Sequence, residues 1–219
     1  MENYTLMYID EESAEMDRME RNLGSDFEIK NIDFTDITFD KLTTILDKRE
    51  FDYLIVDFNL NERSNCGFNG DDVLVNFTKK FPHFPVMLLT NFDHRAVASV
   101  KNIDTEKIHN KKEHSDTDLK MAFIKRIKGK IIEYKERNSQ AETRAEELIH
   151  KKNSGAEMNI NEEEELIKLD TFLDEVTAGD ASIIPSQMKE LSNETKLLSL
   201  LEKTDALISK LENYEAVQE

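Results

Sequence analysis

Two short runs, "DYLIV" at 52–56 and "FPVMLLT" at 84–90, carry apolar residues at consecutive positions. Successive side chains of a strand point to opposite faces, so a run of this kind must be covered on both sides. A parallel sheet enclosed between helices does that, and the rest of the first 129 residues supplies the helices. "YTLMYI" (4–9), the weaker "FEIKNI" (27–32) and "KIHN" (107–110) are further strand candidates. Between the strands, apolar residues recur at helical spacing: Met16, Met19 and Leu23 in 13–23, Leu42, Ile45 and Leu46 in 39–49, and Val73, Leu74 and Phe77 in 70–80. A short helix is expected near 93–101, and another opens at Ser115, with Asp118 three residues on, close to a capping box. This β-α alternation predicts a doubly wound five-stranded parallel sheet with helices on both faces.

The last 90 residues hold no strand candidate. The helix opening at Ser115 keeps Leu119, Phe123, Ile127 and Ile131 in register and is expected to run as a connecting helix to about residue 150. "KKNSGAEMNIN" (151–161) is a polar linker, and Asn161 before "EEEE" (162–165) marks a helix start, where acidic side chains oppose the positive end of the dipole. The stripes Leu166, Leu169, Phe172, Leu173 and Val176, then Met188, Leu191, Leu198, Leu201, Ile208 and Leu211, predict a helical hairpin over 162–215. The chain is thus expected to hold an α/β domain, 1–130, and an all-α region, 131–219.

Charge narrows the function. The net charge is −17, and residues 130–219 carry 11 basic against 21 acidic side chains. That argues against nucleic-acid binding, which needs phosphate neutralisation. No apolar run reaches membrane-spanning length, and "MENYTLMYID" lacks the pattern of a signal peptide. The single cysteine, Cys66, excludes an internal disulfide and suits a reducing compartment. A cytoplasmic protein is expected, whose C-terminal helices meet a protein effector or a second copy of the chain.

Ligands of a doubly wound sheet bind beyond the carboxyl ends of its strands. The first strand delivers Asp10, Glu11 and Glu12 there, the third Asp57, the fourth Thr90 and Asn91, and the fifth Lys111 and Lys112. Such a carboxylate cluster repels itself unless a cation intervenes. Oxygen donors without histidine or cysteine select a hard ion, and a small site that keeps waters suits Mg²⁺. Beside such a metal, Asp57 is an acceptor or nucleophile, a lysine neutralises phosphoryl oxygens and a threonine hydroxyl donates to them.

Over residues 3–130 the sequence resembles the receiver domain of two-component response regulators, which has a flavodoxin-like fold. The family's acidic pair resembles Asp10–Glu11 in "YIDEES", and its phosphoacceptor resembles Asp57 in "LIVDFNL". Asn59 stands where the family's backbone carbonyl joins the metal shell, and Gly70 in "GFNGDDVL" resembles the glycine opening the third helix. The switch hydroxyl resembles Thr90 in "MLLTN". The family lysine is Lys111 or Lys112. The 22-residue step from Thr90 favours Lys112, which puts His109 at the switch aromatic position and Leu119 where the last helix buries its first leucine.

Three departures stand out. The loop from Asp57 to Gly70 is about five residues longer than usual and lacks the family proline near Asn61. Asn91 replaces a small residue. Glu113, not a proline, follows Lys112. The resemblance implies a regulator phosphorylated on Asp57 by a histidine kinase or phosphotransfer protein with Mg²⁺. The missing proline and Asn91 favour an alternative, a receiver-like adaptor that does not cycle phosphate. An enzyme is not expected: aspartyl phosphohydrolases of the dehalogenase type place a second aspartate two positions after the first, where this chain has Asn59.

Overall fold

The structure is a computed structural model that describes residues 4–91 and 103–177. It divides into two units, Met1–Arg137 and Asn138–Glu219.

In the first unit, β1 (Tyr4–Ile9), β2 (Phe27–Asn31), β3 (Tyr53–Asp57), β4 (Val86–Thr90) and β5 (Ile108–Asn110) form one parallel sheet in the order β2-β1-β3-β4-β5. This is the flavodoxin-like doubly wound order, with its switch point between β1 and β3. All five residues of β3 and of β4 are buried, as consecutive apolar positions demand. The helices are α1 (Ser13–Leu23), α2 (Phe39–Asp47), the single turn α3 (Asn61–Ser64), α4 (Gly70–Lys80) and α5 (Thr117–Asn153). Met19 and Leu23 of α1, with Phe123, Ile124, Ile127 and Ile131 of α5, pack on Leu6, Tyr8, Tyr53, Ile55, Met87 and Leu89. The alternate strand residues face the other layer, where α2 packs against α4 and α4 against β3 and β4.

The start of α5 differs from its prediction. The helix is capped by Asp116, whose Oδ1 accepts from the amides of Asp118 (2.9 Å) and Leu119 (3.2 Å). Ser115 instead donates to the Lys112 carbonyl at 3.1 Å. Leu119 is 47% exposed, and the buried stripe begins at Phe123. Asp116 wins because its carboxylate reaches two orphan amides of the first turn at once.

Helix α5 ends at Asn153, and α6 spans Ile160–Thr177, so the polar break is shorter than 151–161. The cap of α6 is Asn159, not Asn161: Asn159 Oδ1 accepts from the Glu162 amide (3.0 Å) and Glu162 Oε2 accepts from the Asn159 amide (2.9 Å), a reciprocal capping box. Within the second unit, Ala141, Ala145 and Leu148 of α5 pack with Leu166 and Leu173 of α6 in two small clusters. Arg144 donates to both carboxylate oxygens of Glu165 at 2.9 Å, and Lys151 pairs with Glu162 at 2.7 Å. Two of the four consecutive glutamates therefore bind basic partners on α5. The expected helix near 93–101 and the second half of the predicted hairpin lie outside the described residues.

His114, between β5 and α5, gives a testable pH dependence. It is 1% exposed, its ring lies 6.3 Å from that of Phe123, and Nδ1 meets the Asn22 side chain at 3.3 Å. Burial, with Arg18 and Lys111 adding to it, pushes its pKa down to about 4 from the ordinary 6.5. The folded state holds the neutral ring, so the contribution is complete above pH 6.5 and is lost as pH falls toward 4. The difference between wild-type and His114→Gln stability curves is expected to change by about 3 kcal/mol across that window in urea titrations. A flat difference would contradict it.

Candidate functional site

Four strand ends meet at a cavity of about 190 Å³ whose lining includes Glu11, Asp57, Thr90 and Lys111. Strand register explains which side chains arrive. Ile9 pairs with Val56, so the next residues, Asp10 and Asp57, lie side by side. Asp57 pairs with Leu89, and Leu89 with His109, which puts Lys111, two residues on, over the face that carries Asp57. The Lys111 amide continues the ladder by donating to the Thr90 carbonyl at 3.0 Å.

Of the two candidate lysines, Lys111 is the one that reaches the carboxylates. Its Nζ lies 2.7 Å from Asp10 Oδ2 and 3.0 Å from Asp57 Oδ1, while Lys112 is exposed. The pleat sends residue 112 to the other face, and the chain turns away there. Asn110 Oδ1 accepts from the Lys112 amide at 2.9 Å, and the Lys112 carbonyl accepts from Ser115 and Asp116 at 3.0 Å. His109 Nδ1 meets Arg126 at 3.0 Å, and Nε2 meets the Glu106 carbonyl at 3.0 Å. Arg126 in turn donates to Glu113 at 2.7 Å.

Asp10 is fully buried and held three ways: the Tyr8 hydroxyl and Lys111 bind Oδ2, and the Glu12 amide donates to Oδ1 at 2.9 Å. Asp57 is 5% exposed, with Oδ2 accepting from the Asn59 amide at 3.1 Å. Burial pushes the Asp57 carboxyl up to about 6, with Lys111 pulling it down and Asp10 pushing it up. Burial likewise pushes Glu11 up to about 7. For Lys111, burial opposes the charge, but Asp57 and Asp10 outweigh it and raise the pKa. Thr90 is 1% exposed and lines the same cavity.

The donor set fits a divalent cation. Asp10, Glu11 and Asp57 each offer an oxygen within 4.8 Å of the others, and Glu11 Oε2 is buried with no hydrogen-bond partner. An orphaned carboxylate oxygen facing two further carboxylates is costly without a positive partner. All donors are oxygen, as a hard ion requires.

Gly70 fixes the approach of α4. A Cβ built on it would lie 1.9 Å from the Asp57 carbonyl oxygen and 2.9 Å from Val56 Cγ1, while its amide donates to the Phe58 carbonyl at 2.9 Å. Only a glycine lets the helix start pass so close to the strand that carries Asp57.

The long loop after Asp57 brings one residue that the motif reading missed. Glu62, on α3, lines the cavity and accepts from Asn59 Nδ2 at 3.2 Å. The motif spacing carried no signal for it, because it lies in the inserted stretch.

No protein-family model matches the sequence, and no curated protein does. Among solved structures, the chain is similar to one described as adenylate cyclase from Rhodopirellula baltica, at 20% identity, covering 65% of this chain and 97% of that chain with a TM-score of 0.48. It is similar to a response regulator receiver domain protein (CheY-like) from Methanospirillum hungatei JF-1, at 15% identity, covering 62% and 99%, with a TM-score of 0.46. A response regulator receiver domain protein from Clostridium thermocellum matches at 20% identity over 60% and 97%, with a TM-score of 0.43. Among the described residues no helix is long and apolar enough to cross a membrane.

Proposed function

We propose that this chain is a phosphorylation-controlled signalling regulator whose phosphoacceptor is Asp57. The donor is a phosphohistidine on a partner histidine kinase or phosphotransfer protein. An Asp57 carboxylate oxygen forms the new P–O bond as the P–N bond to the imidazole breaks, and the imidazole leaves with the electron pair and takes up a proton. The observation supporting this reading is the convergence of Asp10, Glu11, Asp57, Thr90 and Lys111 from four strand ends on one site.

Asp10, Glu11 and Asp57, with the Asn59 backbone carbonyl, would hold Mg²⁺, which neutralises charge on the phosphoryl oxygens when bound. The remaining work belongs to the protein. Asp10 fixes the Lys111 ammonium beside Asp57, where it offsets the transferred charge. The Thr90 hydroxyl donates to a phosphoryl oxygen. The Asn59 amide keeps one Asp57 oxygen engaged, which orients the other for attack. The helical unit, Asn138–Glu219, carries the output to a protein effector or a second copy of the chain, with no role for nucleic acid.

One observation favours a second reading. Lys111 bridges both Asp10 and Asp57, so its ammonium serves as a built-in cation, which would suit an adaptor that does not cycle phosphate. Thermal unfolding with Mg²⁺ and beryllofluoride, a phosphoryl mimic, separates the two. The phosphoacceptor reading expects a raised Tm in the wild type and none in Asp57→Asn. The adaptor reading expects no shift in either.

A further inference from the structure

The inserted loop between Asp57 and α4 is built to hold one shape. Leu60 and Phe68 anchor it, at 0% and 7% exposure, and the Phe68 ring meets Phe39 edge-on at 5.3 Å. Between them, Asn61 Oδ1 accepts from the Gly67 amide at 2.7 Å and Asn69 Oδ1 from the Asn61 amide at 3.2 Å. Ser64 donates to the Leu60 carbonyl, and the Cys66 thiol donates to the Phe68 carbonyl at 3.2 Å. Asn65 (φ 51°) and Gly67 (φ 82°) close the turn in the left-handed region. These bonds leave α3 at the mouth of the site with Glu62 exposed on it.

Glu62 lines the same cavity as Glu11, Glu12 and Asp57, with Lys111 as the only cationic group among the described lining residues. Its carboxylate holds Asn59 Nδ2 and is too exposed to gain much from burial, so its main effect is electrostatic. A fixed negative charge at the entrance raises the energy of an anion approaching Asp57 and lowers that of a cation.

We infer that Glu62 is a selectivity residue for the phosphoryl donor: it disfavours anionic donors and favours those that present cationic groups beside the phosphoryl group. This deepens the reading of Asp57 as phosphoacceptor and rests on it. The kind of partner it fits is a phosphohistidine surrounded by lysine or arginine.

Two small donors test this at saturating Mg²⁺. Acetyl phosphate is a dianion near neutral pH and loses acetate as its P–O bond breaks. Phosphoramidate carries less net negative charge because of its ammonium group and loses ammonia as its P–N bond breaks. Glu62→Gln is expected to raise the acetyl phosphate rate about three- to tenfold at low salt and to leave the phosphoramidate rate level or lower it, with the difference shrinking as salt is added. Glu62→Asp keeps the charge and is expected to retain the wild-type ratio of the two rates. Equal changes for both donors, or changes insensitive to salt, would overturn the inference and leave Glu62 a structural role. If the wild type takes up no phosphoryl group from either donor, the Asp57 reading falls and this one with it.

Discussion

Replacing Lys111 with methionine is expected to destabilise the protein by about 3–5 kcal/mol in cation-free buffer at neutral pH. The Lys111 side chain is 10% exposed, and its two partners, Asp10 and Asp57, are 0% and 7% exposed. Removing the ammonium leaves two buried carboxylates facing each other with no positive partner. Two conditions should return part of the loss. Mg²⁺ replaces the missing charge, and acid does so by protonating Asp57, whose carboxyl already sits near 6. The same change at Lys112, whose side chain is exposed, is expected to stay within about 0.5 kcal/mol. Urea unfolding of the two variants, with and without Mg²⁺, checks the contrast. Equal effects would show that the strand pleat does not select between them.

Gly70→Ala is expected to cost about 3 kcal/mol, at the upper end of ordinary overpacking. The added carbon would lie 1.9 Å from the Asp57 carbonyl oxygen, and backbone there has no rotamer with which to move aside. Either α4 retreats or the end of β3 shifts, and both displace Asp57 from Lys111. Mg²⁺ affinity should fall together with stability. Gly129→Ala makes the opposite case. It lies within α5 with nothing within 4 Å of an added Cβ, so alanine there is expected to stabilise by about 0.5–1 kcal/mol. Calorimetric melts of the pair check the signs. A neutral Gly70→Ala would mean that α4 does not approach the strand this closely.

Much of the first unit could be read from periodicity. "DYLIV" and "FPVMLLT", short, rich in β-branched and aliphatic residues and alternating with helical stretches, suit buried strands; Asp57 and Thr90 follow from where they end, and Asp10 and Glu11 from the end of "YTLMYI". The lysine did not follow. "KIHNKK" is too short and polar for its strand boundary to be fixed, and without a boundary the parity that separates Lys111 from Lys112 is undetermined. Family spacing pointed to Lys112, whereas Lys111 lies beside the carboxylates, and Leu119 is exposed. Helix caps failed for a related reason. Ser115 and Asp116 are both good capping residues, as are Asn159 and Asn161, and the choice is made by which side chain reaches the orphan amides. Glu62 was illegible because its place depends on how Leu60 and Phe68 pin the inserted loop, a tertiary fact with no local pattern.

Phosphoryl transfer to Asp57 in a site completed by a divalent cation leaves a covalent mark on the protein. Intact-mass measurement after incubation with acetyl phosphate reads that mark. The wild type with Mg²⁺ is expected to gain the mass of one phosphoryl group, and neither the wild type with chelator nor Asp57→Asn with Mg²⁺ should gain it. No gain in the wild type, or an equal gain in Asp57→Asn, would rule out Asp57 as the phosphoacceptor.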